Sequence, residues 1–342
     1  MRQNINWGII GLGNIALQFA HAFKDSTNSR LKGISSTNPD KIKMFQEKFS
    51  INKEYCFNNY QDLLSCDDID IIYIALPNSM HKEWILKSIM NKKNILVEKP
   101  AFINLAETES IKKKIIDNNI FFSEGFMYRY TPQILKVIEL IKNDVIGKPL
   151  SMASSFGVNL LTKKNIFGFT KKKKIDKKNR LFSKKLGGGA ILDLGCYPVS
   201  FSILIASMIS KINYDQIKVL EKSKETSSLD VDIDSYAKLE FENGFVSKVS
   251  ASFSKNLGTE TIINGSDGTM KIMNPWQAEP PIIILEGKID KTIKIGNINN
   301  IFSYEINALS KDILEGKSCP SFPGTSMDEI ISGTKILDEW LN

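Results

Sequence analysis

The sequence predicts an α/β chain of two domains: a doubly wound parallel sheet, then a second α/β domain on an open, mainly antiparallel sheet. Three features predict it. An apolar strand near the amino terminus runs into a glycine turn and a helical pattern; β-branched runs alternate with helical patterns as far as residue 123; beyond that, segments alternate apolar and polar residues one by one. Strands separated by helices imply crossovers and a parallel sheet, whereas one-by-one alternation marks strands with one packed and one exposed face. The domains are then 1–123 and 124–342.

The first strand, residues 5 to 10, is followed at once by Gly11-Leu12-Gly13-Asn14-Ile15-Ala16 and a helix with Ile15, Phe19 and Phe23 on one face. Strand, GxGxxA turn and helix in that order form a dinucleotide fingerprint. Gly11 permits the tight turn, Gly13 lets backbone approach a pyrophosphate, and Ala16 is small enough for close helix packing. About twenty residues on, where an NAD site places Asp or Glu, the chain has Ser35-Ser36-Thr37-Asn38. No carboxylate there repels a 2′-phosphate, and Ser36, Thr37 and Lys41 are donors for one, which tilts the expectation to NADP, with NAD as the alternative.

The alternation continues through a helix at Asp40–Phe49 and a strand at Ile69–Leu76 ending in Pro77-Asn78-Ser79. A helix to about Lys92, the strand Asn94–Glu98, a helix over 104–118 and the strand Ile120–Ser123 follow. His81 falls in the first turn after Pro77-Asn78, as a surface residue of a helix start or as a cofactor contact. Lys99, in Val97-Glu98-Lys99-Pro100, lies at the carboxyl edge of the sheet, where such folds bind ligands, and is the first candidate for chemistry.

In the second half, Pro149–Gly157, Asp232–Glu242, Phe245–Ser254 and Thr259–Asn264 read as strands, with Asn243-Gly244 as a hairpin turn. Ala237, Leu239 and Phe241 face one way and Tyr236, Lys238 and Glu240 the other, so the outer face is a candidate surface for a homodimer or homotetramer. Gly187-Gly188-Gly189 precedes Asp193, Tyr197 and an apolar helix, Val199–Ile209. The glycines permit close approach of another helix or a ligand. Asp193 and Tyr197, four apart, share a helix face if the helix has begun. The bland alternative is a capping Asp and a core Tyr.

Composition excludes several classes. The 342 residues, 42% of them hydrophobic, suffice for two ordinary cores. Cys56, Cys66, Cys196 and Cys319 are scattered, and His21 and His81 are the only histidines, so no metal site or disulfide framework is expected and a reducing cytoplasm fits. Much of the +7 net charge sits between Lys163 and Lys185, including four consecutive lysines from Lys171. With no aromatics interleaved in that run, it reads as a solvated loop rather than a nucleic-acid surface, and an anionic small molecule or cofactor is what the field favours. The amino-terminal apolar run is too short for a signal-peptide core, and no stretch approaches membrane-spanning length, so no membrane partner is expected.

Gly11 to Ala16, Pro77-Asn78 with His81, Glu98-Lys99-Pro100, the Glu124–Arg129 segment and Gly187 to Tyr197 occur in the order found in the Gfo/Idh/MocA oxidoreductases, which the chain resembles along essentially its whole length. The resemblance implies an amino-terminal Rossmann domain and a carboxyl-terminal domain often used for homo-oligomers. It also implies hydride transfer between NAD(P) and a carbinol or carbonyl carbon of a sugar or related polyol. Tyr197, where the inositol-dehydrogenase branch has His, matches the branch of dihydrodiol dehydrogenase, xylose dehydrogenase and glucose-fructose oxidoreductase. By that match Lys99 and Tyr197 carry catalysis, and Lys99, Asp193 and Tyr197 bind substrate. Gly11, Gly13, Asn14, Ile15, Ser36, Thr37, Leu76, Pro77, Asn78, His81, Glu98, Lys99 and Arg129 would hold the cofactor. Thr37 departs from the Ser-Arg often found in that branch, which bears on the cofactor preference. The rival readings are a glycosidase that uses tightly held NAD for transient oxidation, and a non-enzymatic NADP-sensing regulator.

Overall fold

A computed structural model describes residues 4–164, 170–173, 175–176 and 179–342. The chain forms two compact units: 1–102 with 106–131 and 298–330, and 103–105 with 132–297 and 331–342.

The first unit holds β1 (Ile5–Ile10), α1 (Asn14–His21), β2 (Ser29–Ser35), α2 (Pro39–Phe49), β3 (Cys56–Phe57), α3 (Tyr60–Leu64), β4 (Ile71–Ile74), α4 (His81–Met90), β5 (Asn94–Glu98) and most of α5 (Leu105–Asp117), then β6 (Phe122–Gly125). The six strands pair in parallel in the order β3-β2-β1-β4-β5-β6. Every residue of β1 and β4 is buried, as apolar strands covered by helices on both faces must be. Ile72, Ile74, Ile85, Ile95, Val97 and Ile111 belong to one core cluster. α2 starts where its sequence dictates: the Asn38 side chain accepts from the backbone of Asp40 and Lys41, and Pro39 opens the helix.

The second unit holds α6 (Pro132–Lys142), β7 (Pro149–Gly157), β8 (Thr162–Lys164), β9 (Thr170–Lys172), α7 (Cys196–Ile209), β10 (Lys218–Thr226), β11 (Asp232–Glu240), β12 (Val246–Ser252), β13 (Thr261–Gly265), β14 (Gly268–Ile272), β15 (Ile282–Gly287) and β16 (Lys291–Lys294). Eight of these strands form one sheet, β10-β11-β12-β7-β13-β14-β15-β16, in which only the β12–β7 pair is parallel among the described residues. Ala237, Leu239 and Phe241 are buried and Tyr236, Lys238 and Glu240 are half-buried, which is the two-faced strand that alternation predicts. β8 and β9 make a separate two-stranded arm in the Lys-rich segment; its residues 165–169, 174, 177 and 178 lie outside the described ones.

Two differences from the sequence reading have physical causes. The chain returns to the first unit late, through α8 (Ile301–Leu314) and the start of α9 (Met327–Leu341), so residues 298–330 lie apart from the domain that a single boundary at 123 gives them. Their partners fix this: Ser310 on α8 accepts from the Trp7 indole N–H at 2.9 Å, and Asn307 is bonded to Ser26 at 2.8 Å. The second difference is the stretch Lys184–Ile209, which by length and composition is long and apolar enough to cross a membrane, against the expectation that none is. Its most apolar 18-residue window is 94% buried inside the protein, the state of a core helix.

Candidate functional site

In the first unit the predicted residues gather where β1, β2, β4 and β5 end. The strand order reverses between β1 and β4, and ligands of such sheets bind at that reversal, beyond the carboxyl ends of the strands. Gly11 follows β1 with a left-handed φ of 89°, and a Cβ there would lie 2.6 Å from the Ala75 carbonyl oxygen, so the fold itself demands glycine. Gly13 is different. Its φ of −88° suits any residue, and a Cβ built on it would meet nothing within 4 Å. Glycine at 13 therefore answers no need of the protein's own packing, but leaves room for another molecule's close approach. Gly13 is the N-cap of α1 with no side-chain cap, so the first N–H groups of the helix and its positive dipole end suit a pyrophosphate. Asn14 is exposed and Ile15 half-buried beside it. These residues fit a dinucleotide.

At the end of β2, Thr37 is exposed, whereas Ser36 is 5% exposed and its hydroxyl accepts from the Asn38 N–H at 3.1 Å. Ser36 thus shapes the turn, leaving Thr37 as the accessible hydroxyl. Leu76 and Asn78 are buried and Pro77 half-buried after β4.

Three predicted cofactor contacts are buried and bonded within the protein. His81 has no exposed surface, and its ring nitrogens face the carbonyl oxygens of Pro100 at 3.0 Å and Leu76 at 2.9 Å, between the segments that follow β4 and β5. A helix-start pattern cannot reveal this, because the carbonyls come from loops distant in sequence. Arg129 is 1% exposed, paired with Glu329 at 3.3 Å and donating to the Pro323 carbonyl at 3.1 Å. Its partners sit in the returning segment, so no local signal separates a buried structural arginine from a ligand contact. Glu98 is 9% exposed, accepts from the Tyr73 hydroxyl, and takes the Lys99 N–H at 3.3 Å.

Lys99 is half-buried at the end of β5. Near Glu98 are buried acids that composition alone does not announce. Glu124 on β6 accepts from the Ala101 N–H at 2.8 Å, and burial pushes its carboxyl up to about 7. Glu305 on α8 is pushed well up by burial, then by the Glu98 carboxylate.

In the second unit, Tyr197 opens α7 and is 6% exposed. Its ring packs edge-on against Phe156 at 5.3 Å and tilted against Trp276 at 5.6 Å, and Trp276 is anchored by its N–H to the Ser155 carbonyl at 3.1 Å. Neither aromatic was legible as a site residue, since each is distant in sequence, but together they fix the phenol ring. Asp193 lies in a π-helical turn, Ile191–Gly195, and accepts from Arg180 at 3.2 Å. Such turns are frequent at functional sites. Two of the three glycines before it serve the chain itself. A Cβ at Gly188 would lie 2.5 Å from the Arg180 carbonyl oxygen, and one at Gly189, where φ is 119°, would lie 2.1 Å from a carboxylate oxygen of Asp232. Asp232 in turn accepts from the Ile191 N–H at 2.7 Å and fixes the start of the turn. Lys99 belongs to the first unit and Asp193 and Tyr197 to the second. No group of three or more His, Cys, Asp or Glu suited to a metal ion occurs among the described residues.

Comparison with known proteins decides the family. Residues 5–126 match the GFO/IDH/MocA oxidoreductase family, NAD-binding Rossmann fold, and residues 134–271 match the GFO/IDH/MocA carboxyl-terminal domain. The chain belongs to the GFO/IDH/MocA oxidoreductases. As a member it is an NAD(P)-dependent dehydrogenase or reductase. Similar proteins include a trans-1,2-dihydrobenzene-1,2-diol dehydrogenase of Xenopus tropicalis, 26% identical over 98% of this chain and 96% of that one. A D-xylose 1-dehydrogenase (NADP+) of Haloferax volcanii is 23% identical over 97% and 95%. Among solved structures, the 3-ketoreductase KijD10 from Actinomadura kijaniata in complex with NADP and TDP-benzene shares the fold with a TM-score of 0.81 at 22% identity, over 98% and 96% of the two chains.

Proposed function

We propose that this oxidoreductase acts on a carbinol or carbonyl carbon of a sugar or sugar derivative, with NADP favoured over NAD, and that Lys99 and Tyr197 handle the proton at the substrate oxygen. The observation that carries the reading is the edge of the parallel sheet, where open space over Gly13 and the half-buried Lys99 follow strands one and five. The first unit would bind the cofactor and the second the substrate. When bound, the nicotinamide supplies or takes up hydride at the substrate carbon. Tyr197 Oη donates a proton to the carbonyl oxygen in reduction and removes it in oxidation. A phenol with a pKa near about 10 is a weak base at neutrality, and the Lys99 ammonium favours its phenolate and polarises the carbonyl. Acid–base help of this kind is worth about 10² to 10⁴ in rate. Asp193, steadied by Arg180, would hold a neighbouring hydroxyl.

Several observations support the finer points. The dihydrodiol, xylose and keto-sugar relatives act on vicinal hydroxyls or sugar carbonyls by their names, and two of the proteins similar to this one are named with NADP. The absence of a carboxylate among Ser36, Thr37 and Asn38 agrees with a 2′-phosphate. Half-buried polar and aromatic residues on the outer face of the eight-stranded sheet, Tyr236 and Lys238 among them, suit a homodimer or homotetramer. Cys56, Cys66 and Cys196 as free thiols agree with a cytoplasmic setting. The test is a screen of NADP(H) and NAD(H), followed at about 340 nm, against aldoses, ketoses and nucleotide-linked keto-deoxysugars. Turnover with a sugar-type substrate and a preference for NADP is expected; cofactor binding without turnover on any of them overturns the reading.

A further inference from the structure

We propose that His81 and Glu124 are positioning residues for Lys99, acting with Glu98 through three consecutive backbone groups of the turn that carries it. This rests on the reading of Lys99 as the group that meets the substrate oxygen. The backbone N–H of Lys99 donates to Glu98 at 3.3 Å, the carbonyl oxygen of Pro100 faces His81 Nδ1 at 3.0 Å, and the N–H of Ala101 donates to Glu124 at 2.8 Å. Each side chain comes from a different element: β5, the start of α4, and β6. All three are at most 9% exposed.

The cost of this arrangement argues against simple packing. A buried carboxyl or imidazole is expensive, and here it serves main-chain groups that an apolar side chain of similar size would leave without these partners. What the polar groups add is direction. A hydrogen bond to a main-chain N–H or carbonyl orients its peptide plane, and here the Glu98–Lys99 and Pro100–Ala101 planes, one on each side of the lysine stem, are both held. Each clamp is itself held. Glu98 accepts from the Tyr73 hydroxyl, and Tyr73 stacks on Phe19 at 3.8 Å; His81 Nε2 reaches the Leu76 carbonyl at 2.9 Å. Both carbonyls facing His81 only accept, so the ring donates to both at once only when it carries two protons. The same ring lies between the Leu76-Pro77-Asn78 loop and the Lys99 turn. Misplacing a reacting group by about 1 Å can cost about 10²-fold in rate, which is what such a clamp would prevent.

The test reads Lys99 directly. Competitive labelling of lysine amines with light and heavy acetic anhydride across alkaline pH, resolved by mass spectrometry, gives the reactivity of each lysine in the folded protein. Glu124→Leu and His81→Leu remove the bonds to Ala101 and Pro100. In each, Lys99 labelling should change by at least about threefold while the other lysines stay as in the wild type. Glu124→Gln keeps a carbonyl acceptor for the Ala101 N–H and, like Leu, carries no charge, so it is the reference against which Glu124→Leu is read and should differ from it at Lys99 alone. If the Leu variants do not fold by circular dichroism, Glu124→Asp, one methylene shorter, replaces them with the same expectation. Unchanged Lys99 labelling in folded variants, or equal changes at all lysines, overturns the proposal. Labelling needs no turnover, so a protein that labels as expected but neither oxidises nor reduces any sugar refutes the functional reading and leaves the positioning intact.

Discussion

Replacing Glu124 by Gln should remove a pH dependence of stability worth about 3 kcal/mol. The carboxyl is buried and its pKa stands at about 7 instead of 4.5, chiefly through burial; the Ala101 N–H and the Arg129 guanidinium offset this in part, and the Glu329 and Glu98 carboxylates add to it. Below pH 4.5 the group is protonated folded and unfolded alike, and it is indifferent. Between 4.5 and about 7 the folded protein keeps a proton that the unfolded chain has lost, so stability falls as pH rises, and above 7 the loss is complete. At about 1.4 kcal/mol per tenfold in proton affinity, that interval gives the stated figure. Gln is neutral throughout. Equilibrium urea unfolding followed by circular dichroism at a series of pH values from about 4.5 to 8.5 should show the Gln variant gaining on the wild type by about 3 kcal/mol towards alkali. A constant offset between the two would not matter; curves that run parallel within about 1 kcal/mol would refute the reasoning, because they would mean the carboxyl ionises in the folded state as easily as in water.

Three further substitutions probe the cofactor half-site. Gly13→Ala should melt like the wild type, since its Cβ meets nothing within 4 Å, yet weaken NADP binding by at least about thirtyfold in a fluorescence titration. Gly11→Ala should instead destabilise the fold, by about 1–2 kcal/mol from the left-handed backbone alone and more from the 2.6 Å approach to Ala75, which a thermal melt reads. Thr37→Arg places a guanidinium at the exposed end of β2 and should raise the NADP over NAD affinity ratio by about tenfold; no change in the ratio would place the 2′-phosphate elsewhere.

The first unit was largely legible in the sequence because its signals are local. The β-branched run Ile71–Ile74, the turn at Gly11 and the cap at Asn38 each act within a few residues. The alternation of Ala237 and Leu239 with Tyr236 and Lys238 likewise fixed which face of β11 is packed. What escaped were relations between distant segments. α8 and the start of α9 return to the first unit by burying Phe302, Ile306 and Leu309, and a helical pattern does not say which sheet it covers. For the same reason the burial of Arg129 and His81 was not legible: their partners, Glu329, Pro323 and Pro100, are set by tertiary structure. Gly188 and Gly189 do meet close neighbours, but these are the Arg180 carbonyl and Asp232, the latter from the far side of α7 in sequence, and not another helix or a ligand.

The account's central claim is that Lys99 and Tyr197 act on one substrate oxygen, and steady-state turnover of Lys99→Met and Tyr197→Phe, beside the cofactor Kd of each, tests it most directly. Both variants should lose at least about a hundredfold in kcat while binding NADPH within about threefold of the wild type. Wild-type turnover in either one would contradict the claim for that residue.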